Sequence, residues 1–239
     1  MPKQPPRCQV QVSPVREVSL LGSADLGFWK EKLRGANLHP AQEGGRALIL
    51  VVAADMRFLG IRAQEVSISV LVSRKEGEAS RDGAYLLHAF NSVRFFAFVE
   101  RRFFRTPYWH ARVEVDAGHP SSFFAAAPDG SLFRAKMGED VPFSPLRSGP
   151  DGWFGPVFLP RCSPRRPDAE RVFFGSLEGG TQTLAFQAGD DAVTIDPTPQ
   201  SPALAWLLES GFRGEQWAIR LSAMHRKSKT VKRSAIDWP

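Results

Sequence analysis

The sequence predicts a mostly β, α+β fold built around one large antiparallel sheet with few helices. Short apolar stretches with two-residue alternation recur along the chain, and turns rich in glycine and proline separate them. A few stretches with helical periodicity stand among these strands. The chain has 239 residues, of which 43% are hydrophobic, and this is enough for a large core. We therefore expect a single domain over residues 1–239.

The beginning of the chain predicts an irregular arm, a short helix and a buried strand. Residues 1–17 show no clear period and predict the arm. Asp25 can cap a helix over Leu26–Leu33, which Gly35 would end. The continuous apolar run Ala47–Ala54 has the length and β-branching of a buried strand.

The next strand carries the first candidate for a functional side chain. From Glu65 to Ser73 the residues alternate, with one apolar face and one mixed face that includes Glu65. The apolar face belongs to the core, so the mixed face meets either solvent or the polar interior of a closed barrel. Glu65 would be functional only in the barrel. Ala84–Phe90 predicts the strand that follows.

A helix that contains a carboxylate is expected at the centre of the chain. Val93–Phe104 has helical periodicity and an apolar face, which predicts a buried helix, and Pro107 prevents its continuation. Glu100 lies in the middle of that face. A buried carboxylate has to be paired, protonated or placed at a cavity, because an isolated buried charge is too costly. Arg94 and Arg101 are the local candidates for a pair, and a purely structural pair remains an alternative.

The second half predicts more strands and one further helix. Pro128-Asp129-Gly130 is a strong hairpin signal between two strands. Residues 138–170 are rich in proline and aromatic residues, and we expect an ordered segment across the mouth of the barrel. Ser201 predicts the N-cap of a helix that begins at Pro202 and ends at Gly211. The predicted strands of this half are Ala111–Val115, Ser121–Ala127, Ser131–Lys136, Arg171–Leu177, Thr183–Gln187, Ala192–Ile195 and Gln216–Ala223.

Charge and motifs exclude several classes of function. Much of the net charge of +6 lies in residues 225–239, which predict a basic tail, because His225–Arg233 holds five Lys or Arg and no acid. The sequence has no phosphate-binding loop or dinucleotide fingerprint, and its five histidines lack metal-ligand spacing, so we expect neither cofactor nor metal. No apolar run reaches eighteen residues and no signal peptide is evident. These features predict a cytoplasmic protein without a membrane segment.

The stretch from residue 46 to residue 116 resembles the core of the acetoacetate decarboxylase family. The signature of that family is roughly Gly-Arg-Glu, two residues, then Gly-aromatic-Pro-Lys-Lys. With its proline placed at Pro107, Arg101 matches the family arginine, while Glu100 and Arg102 replace its Gly and Glu. Glu65 matches the active-site glutamate at the start of a strand. The resemblance implies an acetoacetate-decarboxylase-like β-barrel or cone with a buried central helix.

The resemblance fails at the lysine pair that does the chemistry in that family. Tyr108 and Trp109 stand where the family has a Schiff-base lysine and the lysine that lowers its pKa, and neither can form an imine. Lys136 is the first lysine to test if the reactive group has moved. The expected ligand is a small organic acid, with Glu65, Glu100 and Arg101 as candidate catalytic residues. Candidate substrate-binding residues are Arg94, Arg105, Tyr108, Trp109 and His110.

Three candidate functions follow from the sequence pattern and the resemblance. The first is a lyase or hydrolase that acts on a small organic acid without a Schiff base. The second is a non-catalytic ligand-binding or interaction protein on the same scaffold. The third is weak binding of nucleic acid through the basic tail, which only the positive charge of that tail supports. A homo-oligomer is compatible with all three.

Overall fold

Strands dominate the structure, as the alternating apolar stretches predict. The computed structural model of the protein describes residues 7–139, 145, 147–160 and 170–238. In chain order its elements are β1 (Cys8–Asp25), α1 (Leu26–Arg34), β2 (His39–Pro40), β3 (Gln42–Glu43), β4 (Arg46–Phe58), β5 (Ile61–Ser73), β6 (Gly83–Asn91), α2 (Arg94–Val99) with a π-helical turn (Glu100–Phe104), β7 (Tyr108–His110), β8 (Arg112–Asp116), β9 (Ser122–Ala126), β10 (Leu132–Lys136), β11 (Arg147–Leu159), β12 (Arg171–Ala185), β13 (Ala192–Asp196), α3 (Pro202–Glu209), β14 (Arg213–Ser228), β15 (Val231–Lys232) and a 3₁₀ turn (Arg233–Ala235).

Seven strands form a closed ring. Their order is β5, β4, β1, β14, β12, β11 and β6, and β6 pairs again with β5. Every neighbouring pair in the ring is antiparallel except β6 and β11. A second sheet has the order β13, β10, β9, β8. The expected mostly β, antiparallel fold class is confirmed.

The parallel seam between β6 and β11 depends on two glycines. It consists of two residue pairs. A Cβ atom on Gly83 would lie 2.8 Å from the Pro156 carbonyl oxygen, and one on Gly155 would lie 2.9 Å from that of Asp82. Side chains at these positions would push the strands apart, because real Cβ atoms do not approach backbone so closely. The glycines therefore allow the ring to close.

Strand β1 contradicts the expected irregular arm for residues 8–17, whereas residues 1–6 of the arm lie outside the described residues. Residues 8–25 form a long strand that pairs with β14 on one side and β4 on the other. The alternation that Val10 and Val12 begin is interrupted at Pro14, and the register with β14 shifts on both sides of Val15. Bulges of this kind accommodate a proline within a sheet. They also interrupt the strict alternation by which a strand is predicted from sequence.

The two faces of β5 separate the core from an internal cavity. Val66, Ile68, Val70 and Val72 are fully buried, and they belong to the main core together with Phe123 and Phe133 of the second sheet. Glu65, Ser67, Ser69 and Leu71 point into the ring and line a cavity. The mixed face of this strand thus meets an enclosed interior, which is the alternative under which Glu65 has a functional position.

The central helix packs with one face only. Phe96, Val99, Glu100 and Phe104 line the cavity, whereas Phe95 and Phe98 are exposed. The helix widens to i→i+5 geometry at Glu100–Phe104 and ends at Arg105, which has a φ of 60°. This widening changes the helical phase, so Phe103, which the periodicity placed on the apolar face, is 68% exposed.

Several other local predictions can be compared directly with the structure. Helix α3 has the predicted start, and Asp25 caps α1 by accepting a hydrogen bond from the Phe28 amide at 2.6 Å. The expected cover over residues 138–170 is wrong for residues 147–159, because they form β11 in the wall of the ring. Residues 140–144, 146 and 161–169 of that segment lie outside the described residues. Residues 225–228 belong to β14, so the basic run does not begin a tail.

Candidate functional site

The ring encloses a cavity of about 660 Å³. Apolar atoms form most of its surface, and the apolar side chains include Val52, Met56, Phe58, Leu86 and Phe173. Polar and charged side chains lie among them. Their titratable members include Glu17, Glu65, Glu100, Tyr108, Arg220, His225 and Lys227.

Glu17 on β1 is the most thoroughly bonded of these groups. It is fully buried. Its Oε1 accepts hydrogen bonds from Ser19 Oγ and Arg220 Nη1, both at 2.6 Å, and its Oε2 lies 2.6 Å from His225 Nε2. Burial alone would raise the pKa of Glu17, but His225, Arg220 and Ser19 outweigh it and hold the pKa at about 2. Glu17 is therefore ionised at neutral pH.

The same contacts determine the state of His225. Burial opposes a charge on the imidazole, but the hydrogen bond and the negative charge of Glu17 raise the pKa of His225 above its usual value. Arg220 contributes a third charge to this cluster, and its Nη2 also lies 3.5 Å from Asp151 Oδ2. The cluster thus combines one carboxylate with two groups that favour the cationic form.

Glu65 on β5 lies in the same cavity but has weak partners. Its Oε2 is 3.4 Å from Asn91 Nδ2, and its Oε1 is 3.5 Å from the Tyr108 hydroxyl, both long for hydrogen bonds. Burial and the nearby charge of Glu100 raise the pKa of Glu65, and His225 and Lys227 only partly offset them. Burial and the two carboxylates also raise the pKa of Tyr108. Glu65 and Tyr108 therefore favour their protonated forms.

Glu100 pairs with Lys227 from β14. Its Oε2 accepts hydrogen bonds from Lys227 Nζ at 2.5 Å and from Thr106 Oγ1 at 2.7 Å. The side chains are 15% exposed for Lys227 and 21% for Glu100. The ammonium also lies near the rings of Phe104, Tyr108 and Phe173, at 4.6 to 5.6 Å from their centroids. The local partners expected for Glu100, Arg94 and Arg101, do not form this pair.

The charged groups of the cavity favour a net positive charge. Its lining holds four Arg or Lys, which are Arg81, Arg220, Arg226 and Lys227, and four Glu or Asp, which are Glu17, Glu65, Glu100 and Asp151. The raised pKa values of Glu65 and His225 shift this balance towards positive charge, because they favour a neutral carboxyl group and a cationic imidazole. A positive balance in a largely apolar space favours a bound monoanion.

The structure brings together only part of the predicted site. Glu65, Glu100 and Tyr108 line the cavity. Arg94, Arg101, Arg105 and Trp109 are exposed, and Arg101 stacks over the Trp109 ring at 4.5 Å instead of facing the interior. His110 is half-buried but does not line the cavity. These four residues and His110 therefore do not line the cavity, in contrast to Glu65, Glu100 and Tyr108.

Lys136 is also misplaced as the alternative reactive lysine. It lies on β10 in the second sheet, where its exposed Nζ contacts Glu139 Oε1 at 2.7 Å. The lysine in the cavity is Lys227, which sequence reasoning assigned to a tail. Glu17, Arg220 and His225 were missed as well. The alternation of Trp217, Ile219 and Leu221 was a usable signal, since continuing it past Ala223 would have extended the strand into the basic run.

Solved structures with the same architecture give the fold its name. Acetoacetate decarboxylase from Legionella pneumophila subsp. pneumophila str. Philadelphia 1 superposes with a TM-score of 0.59 at 14% identity, over 96% of this chain and 92% of that one. Another acetoacetate decarboxylase structure gives a TM-score of 0.64 at 11% identity, over 97% and 90%. The fold is acetoacetate decarboxylase-like.

A third solved structure with this fold is a complex with a condensation product. The enduracididine biosynthesis enzyme MppR, complexed with the condensation product of pyruvate and imidazole 4-carboxaldehyde, has a TM-score of 0.54 at 11% identity, over 98% of this chain and 92% of that one. No family model matches the sequence, and no curated protein matches it. At these identities the likeness extends to the acetoacetate decarboxylase-like fold alone.

Metal sites and membrane-spanning helices are two further features for which the described residues can be compared with known requirements. No group of three or more His, Cys, Asp or Glu side chains within them is arranged to hold a metal ion. None of the helices in the described ranges combines the length and hydrophobicity required to span a bilayer. The cavity inside the acetoacetate decarboxylase-like ring is the candidate site that these residues offer.

Proposed function

We propose that the protein binds a small organic acid, as its monoanion, in the cavity of the ring. The observation that carries this proposal is the excess of cations over ionised carboxylates in an enclosed apolar space. Such a space binds an apolar body by burial and a carboxylate by charge. The fold supports the proposal, because MppR on the same scaffold holds a condensation product of pyruvate.

The bound acid would meet a proton donor in Glu65. A carboxyl group whose pKa is raised by burial can give a proton to a reacting carbonyl or carbanion and take one back. Tyr108 would assist by its hydroxyl group, 3.5 Å from Glu65 Oε1. We propose that this pair supports lyase or hydrolase chemistry that needs no lysine. A non-catalytic binding protein with the same ligand is the alternative.

Lys227 supports a second candidate function, covalent chemistry on a keto acid. It is a cavity lysine, and an unprotonated lysine attacks carbonyls to form imines. The contact with Glu100 Oε2 at 2.5 Å is one between an ammonium and a carboxylate, and an ammonium has no lone pair for this attack. We therefore rank imine formation below lysine-independent chemistry.

The test of the proposed function is a thermal-shift and calorimetric screen of keto, hydroxy and acyl acids, each with its primary amide. Acids should raise the melting temperature and bind, while the uncharged amides should not. Lys227→Met should weaken binding, because it removes one cation, whereas Lys136→Met should not, because Lys136 is exposed in the second sheet. Equal binding of acids and amides would refute the proposal.

Two further measurements separate the alternatives. If a bound acid is turned over, Glu65→Gln should abolish turnover and preserve binding; binding without turnover of any acid favours the non-catalytic protein. Borohydride treatment with pyruvate should leave no reduced adduct on the intact protein by mass spectrometry. An adduct that disappears in Lys227→Met would replace the lysine-independent mechanism with the covalent one.

A further inference from the structure

Two buried donors in the cavity wall have no hydrogen-bond acceptor among the described residues. They are Arg220 Nε and Thr181 Oγ1. Arg220 is 7% exposed and Thr181 is 4% exposed, and both line the cavity. An unsatisfied buried donor destabilises the folded protein, and a ligand that accepts from it would remove that penalty.

The sheet brings these donors to neighbouring strands. Arg220 lies on β14 opposite Glu17, and Thr181 lies on β12. The register between β12 and β14 shifts between Gly179 and Gln182, so Thr181 lies in a bulge beside the stretch of β14 that contains Arg220. Bulges re-aim side chains, and from this one Thr181 lines the cavity.

The other two nitrogens of the Arg220 guanidinium already contact carboxylate oxygens. Nη1 donates to Glu17 Oε1 at 2.6 Å and Nη2 lies 3.5 Å from Asp151 Oδ2, which fixes the guanidinium plane. The Nε donor and the Thr181 hydroxyl then remain for an acceptor inside the cavity. A carboxylate has two oxygens and takes both donors, and its charge matches the excess positive charge of the inner groups.

The rest of the cavity is too large and too apolar for a four-carbon keto acid. About 660 Å³ falls in the range of pockets that enclose drug-sized ligands. Side chains such as Leu50, Val52, Met56 and Phe58 line it and offer nothing to a polar ligand. An apolar chain would gain about 0.8 kcal/mol for each methylene group that it buries here.

We propose that the ligand is an amphiphilic carboxylate, whose head accepts hydrogen bonds from Arg220 Nε and Thr181 Oγ1 and whose apolar body fills the remaining cavity. This inference rests on the proposed function and specifies its substrate class. The size of the cavity, rather than the fold, would set the length of the acid.

The test is a calorimetric titration with butanoate, hexanoate, octanoate and decanoate, and with 1-octanol as a probe without the charged head. Affinity should rise about fourfold per added methylene group until the cavity is full. Octanoate should bind at least on the order of tenfold more tightly than 1-octanol, because the alcohol lacks the charge. Val52→Phe should shorten the optimal chain and leave butanoate unaffected.

Thr181→Val tests the head-group contact. It should weaken octanoate by on the order of tenfold and leave 1-octanol unchanged. Thr183→Val is the matched control, since Thr183 lines the cavity two residues further along the same strand, and it should have no effect. A melting temperature for each variant shows that the ring is intact. Equal losses in the two variants would overturn the head-group assignment.

The outcomes distinguish this inference from the proposed function. Equal affinity for butanoate and decanoate refutes the amphiphilic ligand and leaves the binding of small acids standing. A failure of every carboxylate to bind refutes both. Preference for octanoate with no loss in Thr181→Val refutes the placement of the carboxylate at Arg220 and Thr181.

Discussion

Glu17 and Glu65 are two carboxyl groups on strands of one ring, in one cavity, with pKa values shifted in opposite directions. Glu17 has three strong hydrogen-bond partners and a pKa of about 2, whereas Glu65 has two long contacts and a raised pKa. Burial raises the pKa in both cases. The difference therefore lies in the partners: Glu17 holds two cationic groups, whereas Glu65 has no strong partner and is the carboxyl group to which the proposed function gives proton exchange.

The largest expected effect concerns the loss of Glu17. Glu17→Gln should lower the free energy of unfolding by about 3 to 5 kcal/mol, because it leaves Arg220 and His225 without their carboxylate in the interior. Glu65→Gln is the matched variant, and it should be neutral or slightly stabilising, because it removes no strong contact. Urea unfolding of both variants measures the contrast. Comparable losses in the two would show that the partners do not separate these carboxylates.

The pH dependence of stability sharpens the same comparison. The pKa of Glu17 falls from 4.5 to about 2 on folding, so its contribution is present above pH 4.5 and is lost as the pH falls towards 2. This shift corresponds to about 3 kcal/mol. The raised pKa of His225 contributes stability below pH 6.5 that is lost as the pH rises through the folded value. Urea midpoints between pH 3 and pH 9 should show both losses.

Glu65 should contribute with the opposite sign to Glu17. Its folded pKa is raised, so its ionisation destabilises the folded protein as the pH rises through that value. The Glu65→Gln variant avoids this cost, and its advantage over the unmodified protein should grow with pH and vanish in acid. An advantage that is the same at every pH would contradict the raised pKa.

The smallest effect is expected for the partly exposed pair. Glu100→Leu and Lys227→Met should each cost about 1 to 2 kcal/mol, and their double variant should show a coupling of about 1 kcal/mol. Arg101→Leu is the control, because Arg101 stacks on Trp109 and should not couple to Glu100. Unfolding midpoints of the unmodified protein, the three single variants and the two double variants with Glu100→Leu complete both cycles. Coupling of Glu100 to Arg101 instead would restore the local pair that the sequence suggested.

The features that sequence predicted correctly depend on local patterns. The alternation in β5 identified the face that carries Glu65, and Ser201 with Pro202 marked the start of α3. The features that it missed depend on distant partners or interrupted periods. Glu100 meets Lys227 across 127 residues of sequence, and Glu17 meets Arg220 across 203. The residues that flank each partner in the sequence give no indication of either pair.

Two interruptions of regular structure account for the other errors. The bulges around Val15 interrupt the alternation of β1, so its first residues were predicted to be irregular. The π-helical turn at Glu100 places Phe103 at the surface. Both place a carboxylate in the cavity, since Glu17 follows the bulge and Glu100 begins the turn. The irregular segments are thus where sequence rules fail and where the polar groups of the site are positioned.

The closure of the ring by β1 and β14 also determines when the site exists during synthesis. Arg220, His225 and Lys227 all lie on β14, so a nascent chain that has made β1 to β13 lacks these three groups of the cavity. Glu17 and Glu100 are made earlier and would lack their cationic partners, while β1 and β12 keep unpaired edges. Ribosome-bound chains that stop before residue 213 should therefore need protection from association, and binding of an acid should begin only after the last ring strand has left the ribosome.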